Sequence, residues 1–236
     1  RTTLMLLAMA IGVASVITLT SVGEGARRYV IGEFASLGTH LVIVLPGRSE
    51  TTGGRPPLMG ETPRDLTLDD ALALERARSI RRVAPVQLGS APVSWRERER
   101  EIVVIGTTRD FLEVRHLTLG QGRFLPSGDP RRATPVAVIG AKVRHELFGA
   151  ESAVGDWVRI GDRRFRVIGV LGSEGQSIGL DLQEIVIVPV AAAQQLFDQY
   201  SLFRILVEAS TKEDVPRAQS AVRDIIRERH DGEDDV

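Results

Sequence analysis

The chain has 236 residues, with 30 Lys and Arg against 31 Asp and Glu, a formal net charge of −1, and no cysteine. Balanced charge excludes the broad basic field that draws a protein to nucleic acid or anionic lipid. The missing thiols exclude disulfides, thiolate zinc sites and cysteine nucleophiles.

Leu4 to Val22 carries no charged side chain, and Arg27 and Arg28 follow closely. At 1.5 Å per residue such a stretch makes roughly 28 Å of helix, about the hydrocarbon thickness of a bilayer. A helix satisfies its own backbone hydrogen bonds and can therefore cross lipid. The segment is expected to be a transmembrane helix; a cleaved signal peptide, which has a shorter apolar region, and a buried core helix are the alternatives. Ala26, Val30, Phe34 and Leu37 fall on one helical face. Residues 1–37 are thus expected to form a membrane helix and a stalk that continues into water. Arg on both flanks leaves its orientation open, and the start at Arg1 reads as the interior of a longer chain.

Gly38 is placed to end this helix, and His40–Leu45 reads as a buried strand. Pro46 to Arg64, rich in Pro and Gly, reads as a mobile loop. Thr67 with Asp70 three residues on resembles a capping box, opening an amphipathic helix that runs to about Arg78. Val83–Trp95 and Glu101–Thr107 read as strands, with the charged run Arg96–Arg100 as a solvated hairpin tip. A helical turn (DFLEVRH), a Gly-rich turn (LGQGRFL), a strand at Val136–Ile139 and a helix at Ala141–Phe148 follow. Asp156–Ile160, the turn Gly161-Asp162 and Arg163–Leu171 form a predicted hairpin. Gly172–Gln183 reads as a flexible loop, Glu184–Val188 as a strand, Val190–Phe197 as a helix and Phe203–Glu208 as a strand. A last helix at about Asp214–Arg229 sets Val215, Ala218, Val222 and Ile225 on one face.

The pattern predicts an α+β fold: an N-terminal transmembrane and stalk helix, then a domain over 38–236 of two α/β-type halves around an inserted β-rich subdomain. In this division 38–108 and 184–236 make one subdomain and 109–183 the insertion.

No set of side chains points to catalysis. Gly23-Glu24-Gly25 ends an apolar helix, and Gly169, Gly172 and Gly175 lack the spacing of a dinucleotide loop. No GxxxxGK[ST] is present, so this chain does not supply the usual ATPase site. Asp181 and Glu184 have no third ligand nearby in sequence, and His40, His116, His145 and His230 are scattered. Asp69 and Asp70 suit the positive end of their helix, no Ser lies in a nucleophile elbow, and Trp95 and Trp157 read as packing residues of strands. Catalytic, cofactor-binding and metal-binding residues are all expected to be absent.

The order of motifs carries a resemblance. RTTLMLLAMAIGVASVITL and GEGAR are followed by SLGTHLVIVLPG, LTLDDALAL, APVSW and VIGTT. GQGRFL, VAVIG, LFG, VGDWVRI and FRVIGVL come next, and Arg229-His230 and Asp234–Val236 close the chain. In this order the chain resembles the first transmembrane helix and extracytoplasmic core domain of MacB-type ABC transporter permeases, relatives of FtsX-like proteins. His40 stands where the family usually has Asn, and Asp181-Leu182-Gln183-Glu184 replaces a more acidic run. The resemblance implies a non-catalytic permease part of an exporter in the cytoplasmic membrane, with residues beyond 37 extracytoplasmic or periplasmic. It implies an ABC ATPase partner that binds ATP, a second permease copy, the lipid bilayer and a periplasmic adaptor as partners, and no nucleic acid. Motion of the membrane helix would be passed to the outer domain. A single-span binding or sensor domain and a secreted enzyme are the competing classes.

Overall fold

The computed structural model describes residues 40–47, 65–172, 176–177 and 180–232. The expected membrane helix and stalk, and most of the Pro- and Gly-rich segment after residue 46, lie outside them. Among the described residues no helix is long and apolar enough to cross a membrane. In chain order the elements are β1 (Leu41–Val44), α1 (Leu68–Leu74), β2 (Ile80–Trp95), β3 (Arg98–Thr107), α2 (Phe111–Val114), β4 (Leu119–Gly122), β5 (Val136–Ile139) and α3 (Ala141–Phe148). Then come β6 (Trp157–Ile160), β7 (Arg163–Leu171), β8 (Gln176–Ser177), β9 (Leu180–Asp181), a 3-10 turn at Leu182–Glu184, β10 (Ile185–Pro189), α4 (Val190–Phe197), β11 (Arg204–Ala209) and α5 (Val215–Arg229). The fold is mixed α and β, as the alternation of sequence periods requires.

The organising element is β2, a strand of 16 residues, roughly 50 Å if fully extended. Its first half, Ile80 to Val86, pairs antiparallel with β11, which in turn pairs with β1. Its second half, Gln87 to Trp95, pairs antiparallel with β3. From β3 the ladder runs to β10 (parallel), β5 (antiparallel) and β7 (parallel). β6 then pairs with β7 and, through Val93–Ile160 and Ser94–Arg159, returns to β2. Six strands therefore close a hydrogen-bonded circuit, which removes exposed edges from most of the sheet. Strands from 109–183 and from the flanking segments share this one sheet.

Period-two alternation sorts the ring residues onto two faces. Val93, Ile102, Val104, Ala137, Ile139, Val158, Ile160, Phe165, Val167, Val186 and Val188 form one buried cluster, joined by Val143, Leu147 and Phe148 of α3 and Ala192 and Ala193 of α4. The opposite face, including Ile105, Val138, Ile168 and Ile187, is covered by Phe111 and Val114 of α2 with Phe124 and Leu125. A third cluster joins β1, α1, α4, β11 and α5 through Val44, Leu74, Val190, Ile205, Val207, Val222 and Ile226. Burying each such side chain stabilises the fold by about 1.5–3 kcal/mol. Close approach of α4 depends on missing side chains. A methyl group on Gly106 would overlap the Ala193 Cβ, and one on Gly89 the Phe197 ring.

Several expectations are corrected. LGQGRFL is not merely a turn: Leu119–Gly122 is strand β4, paired antiparallel with β7. Gly122 takes φ +71° there, where a Cβ would strike the Ile168 carbonyl, so glycine allows the backbone contact. Within Gly172–Gln183, β8 and β9 pair antiparallel, and Leu182 is buried in the following 3-10 turn. α1 stops at Leu74, short of Arg78, because the chain turns through Arg76 and Ala77 to enter β2 at Ile80. Trp157 is 52 % exposed and is not a packing residue. With Val158 and Ile160 turned inward, alternation forces Trp157 and Arg159 out. Trp95 does pack, its ring centroid 4.5 Å from that of Phe148 and its Nε1 donating to Asp156 at 3.1 Å.

The charged run belongs to a tight hairpin whose tip is only Arg96-Glu97, since Trp95 pairs with Arg98. Its arginines are not simply solvated. Arg96 lies 4.0 Å over the Trp95 ring and forks onto Glu151. Arg98 donates to the Leu147 carbonyl at 3.1 Å, near the negative end of α3, and Arg100 pairs with Glu146.

The capping box is present: Asp70 Oδ2 accepts from Thr67 N at 2.9 Å, and Thr67 Oγ1 accepts from Asp70 N. Asp70 does more than cap. It is 2 % exposed, and Oδ1 accepts from Arg229 Nε at 2.6 Å while His230 Nε2 lies 3.4 Å from Oδ2. One carboxylate thus ties the start of α1 to the end of α5. Burial alone would raise its pKa, but hydrogen bonds from Arg229, Thr67 and His230 prevail and hold it below the usual carboxylate value.

Two outcomes follow from these contacts. Gly106→Ala is expected to destabilise the domain by about 1–3 kcal/mol through overpacking, with part of the loss recovered in Gly106→Ala/Ala193→Gly, as measured by urea unfolding. Asp70→Asn is expected to cost about 3 kcal/mol at neutral pH, the low end for a broken buried pair because Arg229 keeps some solvent. A carboxyl depressed in the folded state stabilises above its unfolded pKa and loses that contribution as pH falls through the folded one. The gap between wild type and Asp70→Asn should therefore close below about pH 4, read from urea midpoints across pH.

Candidate functional site

A concavity of about 680 Å³ lies where β3 and β10 end. These strands are parallel, with Pro189 level with Thr107, so both carboxyl ends open at one place. In sheets of this kind the crevice outside the carboxyl ends of parallel strands is the usual place for a ligand. Three pieces of chain form the walls: Thr107–Asp110 leaving β3, the proline-bearing stretch 125–135, and Pro189-Val190 entering α4. Glu75, just past α1, completes the rim. Pro126, Pro130 and Pro135 fix their φ and stiffen the loop, and Arg109 Nη1 donates to Ser127 Oγ at 2.6 Å to hold it.

The charged lining is mixed: Glu75, Asp110 and Asp129 stand with Arg109 and Arg132. Behind it, Arg82 pairs with Glu113 and, at 2.8 Å, with Glu208. Asp110 lies in the same network; burial pushes its carboxyl up, Arg82 opposes this and Glu113 reinforces it. Glu75 is also pushed up, first by burial and then by the Asp110 charge. Thr107 is 1 % exposed, and its Oγ1 has no hydrogen-bond partner among the described residues; Thr108 Oγ1 has none either. A buried hydroxyl without a partner carries a free-energy cost that a ligand could relieve.

The residues considered from sequence fall elsewhere. Asp69 pairs with Arg131, and Asp70 is the helix-tying carboxylate. Asp181 caps the 3-10 turn by accepting from Gln183 N, and Glu184 pairs with Lys142. Gly169 and Gly172 belong to or follow β7, with Gly169 pressed against the Arg123 carbonyl. Among the described residues no group of His, Asp and Glu is placed to hold a metal. Sequence reading did not find Glu75, Thr107 and Asp110, which come from separate segments. The one local signal was the polar run Thr107–Asp110 directly after an apolar strand.

Comparison with known proteins fits this architecture. Residues 2–225 match the family described as the MacB-like periplasmic core domain. The chain is 31 % identical over 232 residues to the macrolide export ATP-binding/permease protein MacB of Bdellovibrio bacteriovorus, covering 98 % of this chain and 35 % of that protein. It is 33 % identical over 237 residues to the pyoverdine export ATP-binding/permease protein PvdT of Pseudomonas aeruginosa, covering 100 % of this chain and 34 % of that one. The chain thus spans about a third of the length of these relatives. Among solved structures, the periplasmic region of MacB from Actinobacillus actinomycetemcomitans superposes with a TM-score of 0.69 at 22 % identity, covering 85 % of this chain and 88 % of that one. The extracellular domain of the ABC-type transporter YknZ from Gram-positive bacteria gives 0.67 at 20 %, covering 83 % and 97 %. With a family match over nearly its whole length and a shared fold, the chain belongs to the MacB-like periplasmic core domain family.

Proposed function

We propose that this chain is the extracytoplasmic and first membrane-spanning part of an ABC exporter permease, and that it passes membrane-helix motion to the outer domain. Residues 1–37 act as membrane helix and stalk in the cytoplasmic membrane. Residues 38–108 with 184–236 form the subdomain that receives the motion, and 109–183 form the inserted part. ATP is bound and hydrolysed by a nucleotide-binding domain, fused or separate. A second permease copy and a periplasmic adaptor complete the assembly, and this chain itself needs no cofactor. The two relatives are named for different cargoes, macrolide and pyoverdine, so export is the common element carried over.

The observation that supports this reading most is the way the ends of the described domain are joined. β1, its first strand, and α5, its last helix, bury Val44, Val222 and Ile226 in one cluster. Asp70 then fastens α5 to α1. Displacement entering through β1 or through α5 reaches the same buried cluster, which suits a part moved by helices.

The test uses the full-length transporter with its ATPase in proteoliposomes. Replacing residues 40–232 by a short Gly-Ser linker is expected to leave ATP hydrolysis within about twofold while export falls by about tenfold or more. Continued export by that variant would reject the proposal.

A further inference from the structure

Where α2 and Phe124 cover other parts of the ring's outer face, β6 and β7 present theirs to solvent. The residues that alternate with the core there, Trp157 and Arg159 on β6 and Arg164 and Arg166 on β7, are all exposed. Their register makes two cross-strand pairs, Trp157 beside Arg166 and Arg159 beside Arg164. Side chains directly opposed on one face start about 5 Å apart, and successive ones along a strand roughly 7 Å apart. Like charges placed opposite each other weaken a sheet, yet among the described residues none of these three guanidinium groups pairs with a carboxylate. The hairpin's own ion pair is Asp162 with Arg163, at the turn, and Asp156 is taken by the Trp95 indole. Arg159 Nε donates to the Gly161 carbonyl at 3.0 Å, and Arg166 Nε to that of Gly155 at 3.2 Å. These bonds anchor the two side chains towards opposite ends of the strip. Their Nη groups have no acceptor among the described residues.

We propose that this strip binds an acidic polypeptide segment in extended conformation. One carboxylate of the segment is received between Arg159 and Arg164 and a second, two residues on, by Arg166, while an apolar or aromatic side chain lies on Trp157. Spacing is the reason for this occupant. Alternate side chains of an extended chain repeat at roughly 7 Å, the spacing of the rows on β6 and β7. With Nε engaged, Arg159 and Arg166 keep the two Nη groups that grip a carboxylate as a fork, and an anchored side chain has less freedom left to lose. Trp and Arg are also the residue types that carry most of the binding energy at protein interfaces. A lipid surface is a poorer match, because it is drawn by a broad basic field. The chain has a net charge of −1, and the outer face turns acidic at Glu99 and Glu101 of β3, level with Ser94 and Pro92 of β2. The strip shares no residue with the cleft at the ends of β3 and β10. Capture of such a segment does not depend on export.

The experiment titrates the complete 236-residue chain, in non-ionic detergent micelles, with the capped peptide Thr-Glu-Thr-Glu-Thr-Tyr and with its Gln-for-Glu analogue. NMR shifts of the Trp157 indole N–H and of the Arg159 and Arg164 amides report occupancy. The acidic peptide is expected to saturate with a Kd on the order of 1 mM at low salt, and the Gln analogue to bind at least about tenfold more weakly. Arg164→Glu is expected to weaken the acidic peptide by about tenfold and Trp157→Ser by about threefold. Arg223→Glu, the same charge change at an exposed position of α5, is expected to leave it within about twofold. Arg164→Glu sets an opposite charge beside Arg159 and so does not threaten the hairpin, and Trp157→Ser gives a second reading at an exposed position. Equal binding of the Gln analogue, an equal loss in Arg223→Glu, an unchanged affinity in Arg164→Glu, or no saturable shift with the acidic peptide would each overturn the assignment. So would a larger response of the same resonances to phosphatidylglycerol bicelles than to the peptide, which would assign the strip to lipid.

Discussion

The domain depends on one strand having different partners along its length. β2 gives its first half to β11 and its second to β3, and near its far end it also accepts β6. Were β2 cut to an ordinary strand of five or six residues, the layer containing β1, β11, α1 and α5 would share no hydrogen-bonded ladder with the ring. Its length lets two buried clusters on different elements behave as parts of one body. Register is fixed in the second half, because slipping β2 by one residue would turn Ala91 and Val93 from core to surface at once.

Electrostatics supplements this frame at the places where the sheet offers nothing. Helices α1 and α5 lie outside the ring, and a single buried carboxylate answers both a helix start and a guanidinium from the other end of the chain. At the β2–β3 hairpin, arginines reach α3 and Glu151 and so link the tip to a helix more than forty residues away in sequence.

Local signals made much of this legible from sequence. The capping box at Thr67-Asp70, the Gly161-Asp162 turn with Gly161 at φ +57°, and the apolar face of α5 each depend on residues within a few positions of one another. What was missed depends on distant partners. β4 is a strand only because β7 lies beside its glycines. Closure through β6 rests on two residue pairs that no periodicity announces, and Trp157 turns outward because Val158 and Ile160 of the same strand face the core. Glu75, Thr107 and Asp110 are brought together by the turn after α1 and the end of β3, so each looks like an ordinary surface or strand residue when read alone.

Mechanical load should distribute unevenly over such a frame. A ring strand bonded on both margins can yield only when two ladders shear together. β1, by contrast, is joined to β11 by four residue pairs along one margin among the described residues. Tension drawn in from the N-terminal side would unzip β1 rung by rung long before the ring gave way, while α5, with Ile226 locked and Arg229 clasped to Asp70, would still hold. The fold thus carries its own fuse, set at the first strand.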